Sequence, residues 1–369
     1  MKKIVVIGHN NPMTINFRGD LIRDLISKGY WVSVVGPDME RVDEMLALGI
    51  DSFEAIPMER TGTSIIGDLK YTLALRRYLK KVEPDIVFGF TIKPVIYGSI
   101  AAKSAGVKNI NSMLTGIGYL FVSDSLKAKV VKQIAKFLYK IGLGCATNVI
   151  FQNKDDLREF VDSGLVNKAK CHLVNGSGVD MVRFQPAPYP EQLTFFMTSR
   201  LLYSKGTMEY FKAAEIVKQK YPKVRFVILG AIDTKADCIP IEVVKPFFDN
   251  GIIDYLGTSN NVAGMLTQSS VYVLPSYREG VPRSVMEAMA MARPIITTDV
   301  PGCRETVIDG ENGFLIPPMN IEALAEKLEW FVLNQGKIEQ MGEKSYQICK
   351  RKFEISVINN RMEEIMKIL

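Results

Sequence analysis

Short apolar runs rich in Val, Ile and Phe recur along the whole chain, and each is followed by a stretch with helical spacing of its apolar residues. Ile4 to Gly8 is the first run. Leu21, Ile22, Leu25 and Ile26 then lie on one helical face, and Gly29 ends that helix. Trp31 to Val35 repeats the pattern. A strand buried on both faces reads as a continuous apolar run, and parallel neighbours need a crossover, usually a helix. The alternation therefore predicts α/β architecture with parallel sheets. In the first half the pattern predicts strands at 4–8, 31–35, 52–56, 85–89 and 148–152, with helices at 39–48, 65–82, 95–105, 125–141 and 154–163. In the second half it predicts strands at 193–199, 224–229, 251–256, 271–274 and 294–298. Helices are expected at 207–219, 261–269, from 284, at 321–333 and over 338–369. Between the halves, Phe184-Gln-Pro186-Ala-Pro188-Tyr-Pro190 reads as an extended interdomain linker. Parallel sheets bind ligands at the carboxyl ends of their strands. In the first half that rule points to the loop His9 to Arg18, to Thr91–Lys93 and to Thr115–Tyr119. No G-x-G-x-x-G follows the first strand, which argues against a dinucleotide at that turn.

The chain has 369 residues, enough for two domains, and 47% of them are hydrophobic, enough for two cores. Its 5 cysteines are widely spaced without a Cys-x-x-Cys and read as free thiols of a reducing cytoplasm. With 2 histidines, a multi-histidine metal site is not expected. No apolar run is long enough to cross a bilayer, and the N-terminal run is too short for a signal peptide. The net charge of +6 is uneven: residues 1–180 hold 24 Lys and Arg against 18 Asp and Glu, while residues 181–369 hold 22 of each. An anionic partner for the first half follows, and a membrane surface fits better than nucleic acid, since the bases are not interleaved with aromatics. In the stretch 125–141, Lys129, Lys132, Lys136 and Lys140 fall within roughly 80° of a helical arc. Leu126, Val130, Ile134, Phe137, Leu138 and Ile141 take the opposite side. Two readings stay open: a helix lying on an anionic membrane, or a core-packed helix with its lysines outward.

The densest chemistry lies in the second half. Val271 to Leu274 runs into Pro275-Ser-Tyr-Arg-Glu279-Gly280-Val281-Pro282-Arg283-Ser284, and helix-forming Met, Glu and Ala follow. Strand, sharp loop and helix start come in that order. A helix start suits an anion, whereas the flanking Glu279 and Glu287 suit hydroxyls, as acceptors. Hydroxyls beside phosphates describe a sugar nucleotide. Arg200 and Lys205, on a loop after another strand, offer a planar fork and a mobile point charge for a diphosphate.

Ser199-Arg200-Leu-Leu-Tyr-Ser-Lys205-Gly206, Leu256-Gly257, Pro275-Ser-x-x-Glu279-Gly280-x-Pro282-x-Ser284-x-x-Glu287-Ala, Gly302-x-x-Glu305 and Asn312-Gly313-Phe-Leu resemble, in order and spacing, the retaining glycosyltransferases of family 4. The resemblance implies a GT-B fold: two Rossmann-like domains facing a central cleft. The acceptor-binding domain would take residues 1–182 plus a C-terminal helix 352–369, and the donor-binding domain residues 183–351. It implies that Arg200, Lys205 and Glu279 carry the catalytic chemistry, the first two on the donor diphosphate and Glu279 on sugar hydroxyls. Gly280, Val281, Pro282, Arg283 and Ser284 would line the donor, and Glu287 would hold the ribose. No cofactor or metal is implied, since the cations neutralise the leaving diphosphate.

In the first half, Asn16-Phe17-Arg18, Thr91-Ile-Lys93-Pro94 and Thr115-Gly116-Ile-Gly118-Tyr119 look like bacterial members that build O-antigen or capsule units on a polyprenyl diphosphate. Asn16, Arg18, Lys93, Thr115, Gly116 and Tyr119 become acceptor-side candidates. Relatives carry a histidine around 115–119, and this chain has none there. That leaves His9 from another strand end, or the departing phosphate oxygen, to take the acceptor proton. The implied activity is transfer of a hexose or N-acetylhexosamine, first GalNAc, from a UDP-sugar to a lipid-linked glycan, by a cytoplasmic enzyme peripheral on the membrane's inner face. A UDP-sugar 2-epimerase of the same fold and a non-catalytic sugar-nucleotide-binding subunit are the alternatives.

Overall fold

The alternation resolves into two separate all-parallel sheets in the computed structural model, which describes residues 1–59, 64–116, 126–232 and 237–368. The first unit comprises residues 1–177 and 358–369. It runs β1 (Lys3–Ile7), α1 (Asn11–Ser27), β2 (Trp31–Gly36), α2 (Val42–Leu46), β3 (Ser52–Ala55), α3 (Ile65–Val82) and β4 (Ile86–Phe90). A π-helical turn, Pro94–Gly98, leads into α4 (Ser99–Ala105), then β5 (Asn109–Leu114), α5 (Leu126–Cys145), β6 (Asn148–Phe151), α6 (Lys154–Asp162) and β7 (Cys171–Leu173). The strand order is β3-β2-β1-β4-β5-β6-β7. Alternate residues of β1 feed opposite layers, as a period of two requires. Val5 and Ile7 join a core with Leu75, Ala102, Leu143 and Phe160 of α3 to α6, while Ile4 and Val6 join Ile22, Leu25 and Met45 of α1 and α2.

The second unit, residues 178–357, holds β8 (Thr194–Thr198), α7 (Thr207–Lys220), β9 (Arg225–Leu229), α8 (Ile241–Asp249), β10 (Asp254–Tyr255), α9 (Val262–Leu266) and β11 (Val271–Leu274). It continues with α10 (Arg283–Ala290), β12 (Ile295–Thr298), β13 (Gly313–Ile316), α11 (Ile321–Leu333) and α12 (Ile338–Lys352), in strand order β10-β9-β8-β11-β12-β13. Residues 338–369 are not one helix. Val179 pairs with the backbone at Phe353 and Ile355, which interrupts the helix, and α13 (Ile355–Met366) follows. Met362 and Ile365 of α13 pack in the first unit's core beside α1. Lys28 of α1 donates to Glu363 at 2.7 Å, and Asn148 of β6 donates to the Ile365 carbonyl at 3.0 Å.

Four expectations are corrected. The loop after β1 is helical from Asn11, because Asn10 accepts from the Met13 amide at 2.9 Å and Pro12 suits the first turn. Strand β5 had been hidden by its polar residues. Asn111 is fully buried yet satisfied by the Val87 carbonyl and the Asn148 amide. The proline stretch is no free linker. It lies inside the second unit, where Arg293, 0% exposed, donates to the carbonyls of Ala187 and Pro188 at 2.9 and 3.0 Å and lies over the Tyr189 ring.

The fourth correction is α5, which turns the opposite way from its apolar stripe. Tyr139, Gly142 and Leu143 face inward, while Ile134, Phe137 and Ile141 are 55%, 65% and 42% exposed. Gly142 decides this. A Cβ there would sit 2.7 Å from the Ile96 Cα, so only the glycine face lets α5 approach the π-helical turn. The side chain of Lys129 lies outside the described residues, as does Tyr119.

Arg293→Ala removes both donors from buried carbonyls and opens a cavity. Its expected cost is about 3 kcal/mol, measured as a lower urea midpoint of the transition that follows the second unit.

Candidate active site

The order of each sheet reverses beside one strand, and a crevice opens outside the carboxyl ends at such a switch point. In the second unit β8 lies between β9 and β11, so the loops after β8 and β11 must meet there. They meet through backbone. The Tyr277 amide donates to the Ser204 carbonyl at 2.9 Å, and Ser276 Oγ lies 3.1 Å from the same oxygen. Gly206 has φ +69°, and a Cβ at that position would lie 2.1 Å from the Pro275 carbonyl oxygen.

This contact brings the polar groups together. Lys205 Nζ donates to Glu279 Oε1, which also accepts from Ser276 Oγ at 2.8 Å. An ammonium has three donors, so one carboxylate contact does not exhaust it. Glu279 is itself held by its backbone, whose amide donates to the Pro301 carbonyl at 3.1 Å. Arg283 Nε lies 3.1 Å from Glu287 Oε1 one turn further along α10. Burial raises the Glu287 carboxyl above its usual range, and Arg283 and Arg183 pull it back only in part. Ser284 hydrogen-bonds the buried Tyr272 hydroxyl, which also lies 3.2 Å from the Thr198 amide. Arg200 opens the loop after β8 with an exposed side chain. Its carbonyl accepts from Ser199 Oγ and the Leu202 amide, both at 2.8 Å.

Neither α7 nor α10 has a side-chain cap at its start, where Gly206 and Pro282 stand. The first amides of both helices therefore present two positive dipole ends at the switch point. The cluster combines anion-binding helix ends and cations with two carboxylates that accept from hydroxyls. Around it are residues the sequence reading missed. Ser204 Oγ donates to Asp237, and the Tyr277 hydroxyl donates to Glu209 at 2.7 Å. Ser276 stands inside the quoted motif and was legible there. Asp237 and Glu209 carry no local signal, since only the fold brings them close.

Two family models match, one in each half. Glycosyl transferases group 1 covers residues 179–348, and glycosyl transferase 4-like covers residues 3–153. The chain is a GT-B glycosyltransferase. It is 26% identical over 340 residues, 88% of each chain, to N,N'-diacetylbacillosaminyl-diphospho-undecaprenol alpha-1,3-N-acetylgalactosaminyltransferase of Campylobacter jejuni. It is 28% identical over 287 residues, 74% of this chain and 73% of the relative, to UDP-Gal:alpha-D-GlcNAc-diphosphoundecaprenol alpha-1,3-galactosyltransferase of Escherichia coli. HepE of Anabaena, solved with UDP-glucose, superposes with a TM-score of 0.80 at 17% identity over 100% of both chains.

In the first unit of this glycosyltransferase the switch point is β1 beside β4. His9 follows β1, and its Nδ1 lies 2.9 Å from Thr91 Oγ1, which follows β4. Thr91 adopts φ 70°, a left-handed conformation that a β-branched residue rarely holds. Thr115 and Gly116 follow β5 and are partly exposed. Asn16 is exposed on α1.

The two remaining acceptor-side candidates of the described residues stand in packed or paired surroundings. Arg18, 3% exposed, lies over Phe90 at 5.3 Å with its guanidinium 2.9 Å from the Met113 sulfur. Because α1 starts at Asn11, position 18 falls on the buried face with Thr14, Leu21 and Leu25. Lys93 is held by Asp68 at 2.6 Å, and Tyr97 donates to the same carboxylate at 2.7 Å. Its charge is therefore largely cancelled in place. Among the described residues, no group of three His, Cys, Asp or Glu is arranged to hold a metal ion.

Gly206→Ala forces the two loops apart, and UDP affinity is expected to fall at least about tenfold by calorimetry. Gly251→Ala is the control, with a similar φ of +65° but open space around it. Glu287→Gln separates stability from binding. A carboxyl whose folded pKa is raised binds more protons folded than unfolded, so its burial costs stability above that window. Glu287→Gln is expected to raise the melting temperature at pH 7, the gain shrinking as pH falls to about 4, while weakening UDP binding.

Proposed function

We propose that this enzyme transfers an N-acetylhexosamine or hexose, N-acetylgalactosamine first, from a UDP-sugar to a polyprenyl-diphosphate-linked glycan with retention of the α configuration. The observation that carries the reading is the joint placement of Lys205, Ser276 and Glu279 at two uncapped helix starts, with Arg283 and Glu287 one turn on. Lys205, Arg200 and the amides opening α7 and α10 take the diphosphate, where negative charge grows as the glycosidic bond breaks. Glu279 takes sugar hydroxyls and Glu287 the ribose hydroxyls. These groups neutralise the leaving diphosphate without a metal ion. The uridine donor is supported by the HepE complex, and the lipid-linked acceptor by the two relatives named above.

The acceptor side falls to the first unit. His9, set by Thr91, stands at the carboxyl edge of the first sheet, and Thr115 and Gly116 follow β5 at the same edge. The acceptor hydroxyl attacks the face from which UDP departs, and the departing phosphate oxygen takes the proton. That path needs positioning rather than a protein base. The acceptor's lipid tail places the enzyme at the inner face of the membrane as a peripheral protein.

A panel of UDP-sugars incubated with a polyprenyl-diphosphate-linked sugar tests the assignment. UDP-N-acetylgalactosamine is expected to turn over and give an α-linked product by NMR. A β-linked product, or no transfer from any UDP-sugar, defeats the proposal. Glu279→Ala is expected to lower turnover by about 10²–10³-fold with UDP affinity nearly unchanged. Lys205→Ala is expected to weaken UDP binding by roughly 10- to 100-fold.

A further inference from the structure

The segment that joins β4 to α4 carries two departures from regular backbone. Thr91 holds a left-handed φ of 70°, and Pro94–Gly98 forms a π-helical turn. Both kinds cost free energy, persist where the surrounding structure fixes them, and cluster at functional sites. Here two glycines do the fixing. A Cβ on Gly89 would lie 3.0 Å from the Pro94 carbonyl oxygen, and one on Gly142 would lie 2.7 Å from the Ile96 Cα. The turn is therefore wedged between β4 and α5. Lys93 and Tyr97, one turn apart on this segment, both reach Asp68 of α3. Lys93 Nζ donates to Oδ1 at 2.6 Å, and the Tyr97 hydroxyl donates to Oδ2 at 2.7 Å. The ion pair is largely withdrawn from water, with the Lys93 and Asp68 side chains 14% and 13% exposed. Burial, and after it Asp68, holds the Tyr97 phenol well above its ordinary range, so it stays a donor. Tyr71, one turn along α3 from Asp68 and buried, keeps a hydroxyl with no partner among the described residues. That is a further cost in the same place.

We infer that Asp68, Lys93 and Tyr97 form the site that reads the hydroxyl groups of a neutral sugar ring, the sugar that receives the transferred residue. The chemistry of the set selects this ligand. Asp68 and Lys93 cancel in charge, so the pair offers no net attraction to a phosphate. It does offer spare hydrogen-bonding capacity. Lys93 uses one of its three donors on Asp68, and each carboxylate oxygen has a second lone pair. A sugar hydroxyl both donates and accepts, so it bridges an ammonium and a carboxylate that hold still. The second unit joins the same groups. Glu279 accepts from Lys205 and from Ser276, and Glu279 is the residue assigned above to sugar hydroxyls. The place is the carboxyl edge of the first sheet, where Thr91 Oγ1 lies 2.9 Å from His9 Nδ1. A rigid polar set also rejects a ring whose hydroxyl points elsewhere, because its own groups then stay unpaired. The inference rests on the lipid-linked acceptor proposed above and adds which residues choose its sugar.

The test is equilibrium binding to the full chain, measured by calorimetry. The probes are decyl diphosphate and the same lipid carrying N-acetylglucosamine, N-acetylgalactosamine, glucose or galactose. At least one sugar-bearing probe is expected to bind at least about tenfold tighter than decyl diphosphate. Lys93→Met and Tyr97→Phe are each expected to reduce that ratio at least about fivefold. Asp68→Asn is expected to move two affinities in opposite directions. It abolishes the sugar's contribution and, by freeing the Lys93 ammonium, tightens decyl diphosphate roughly threefold. A merely loosened fold weakens both. UDP affinity, carried by residues of the second unit, and the far-ultraviolet circular dichroism are expected to stay unchanged. If Asp68→Asn or Lys93→Met unfolds, Tyr97→Phe, which removes one oxygen atom, carries the test alone. The inference is overturned if no sugar-bearing probe binds tighter than decyl diphosphate. A sugar contribution that survives the variants overturns it as well. So does an equal loss for sugar-bearing and sugar-free lipids, since the cluster would then hold the diphosphate. None of these outcomes depends on turnover: absence of transfer from every UDP-sugar defeats the proposed reaction and leaves the binding ratio to judge this site.

Discussion

The ligand end of the second unit depends on how closely two backbones approach where the strand order reverses. The loop after β8 and the loop after β11 touch at Gly206 and Pro275, a distance at which any Cβ would intrude. Once the backbones touch, the side chains have little freedom. Lys205 precedes Gly206 and reaches Glu279, four residues beyond Pro275, while Ser276 ties the carboxylate and the Ser204 carbonyl together. A second close approach serves the same loop. A Cβ on Gly302, with φ +81°, would lie 2.3 and 2.4 Å from the carbonyl oxygens of Gly280 and Glu279. The glycines of the motif therefore set the positions of the charges. Their role is to bring two helix starts and two loops into one small volume.

Much of this was legible in the chain. The βα alternation specified parallel sheets because a strand covered on both faces has no polar side, and Val, Ile and Phe runs say so directly. The site in the second unit was legible because its polar residues lie within short, glycine-punctuated stretches following strands. What was lost follows from two physical causes. One is capping: Asn10 and Pro12 start α1 earlier than its apolar period suggests, which carries Arg18 from a loop onto a buried face. The other is tertiary choice between faces. Helix α5 has a wide apolar arc, and period alone gives no reason to prefer the Tyr139–Leu143 side over the Ile134–Phe137 side. The decision comes from Gly142 against Ile96, a contact between elements far apart in sequence. Lys93 illustrates the same limit, since its partner Asp68 lies 25 residues upstream.

The electrostatics of the two units are organised on different principles. In the second unit the cations near the site have local carboxylates: Lys205 with Glu279 and Arg283 with Glu287. Such pairs hold long side chains in one place at small net charge, which suits a site that must orient a sugar ring. The attraction for a diphosphate then rests on what the pairs do not cancel. That remainder is the spare donors of Lys205 and the uncapped starts of α7 and α10. Helix-end amides are fixed by the fold and need no reorganisation when charge develops, which is the property a leaving group requires.

In the first unit the opposite holds. Bases outnumber acids on α3, α4 and α5, where Asp68 is spent on Lys93, while α6 beside them carries Asp155, Asp156, Glu159 and Asp162. The field of exposed surface charges holds nothing in a fixed geometry, and it acts over about a Debye length, roughly 8 Å at physiological salt. The division matches the two substrates of the proposed transfer. A nucleotide sugar needs orientation, and so finds neutralised, rigid pairs. The acceptor proposed above, a lipid-borne glycan, falls to the first unit, where His9 and Thr91 meet at the carboxyl edge of the sheet.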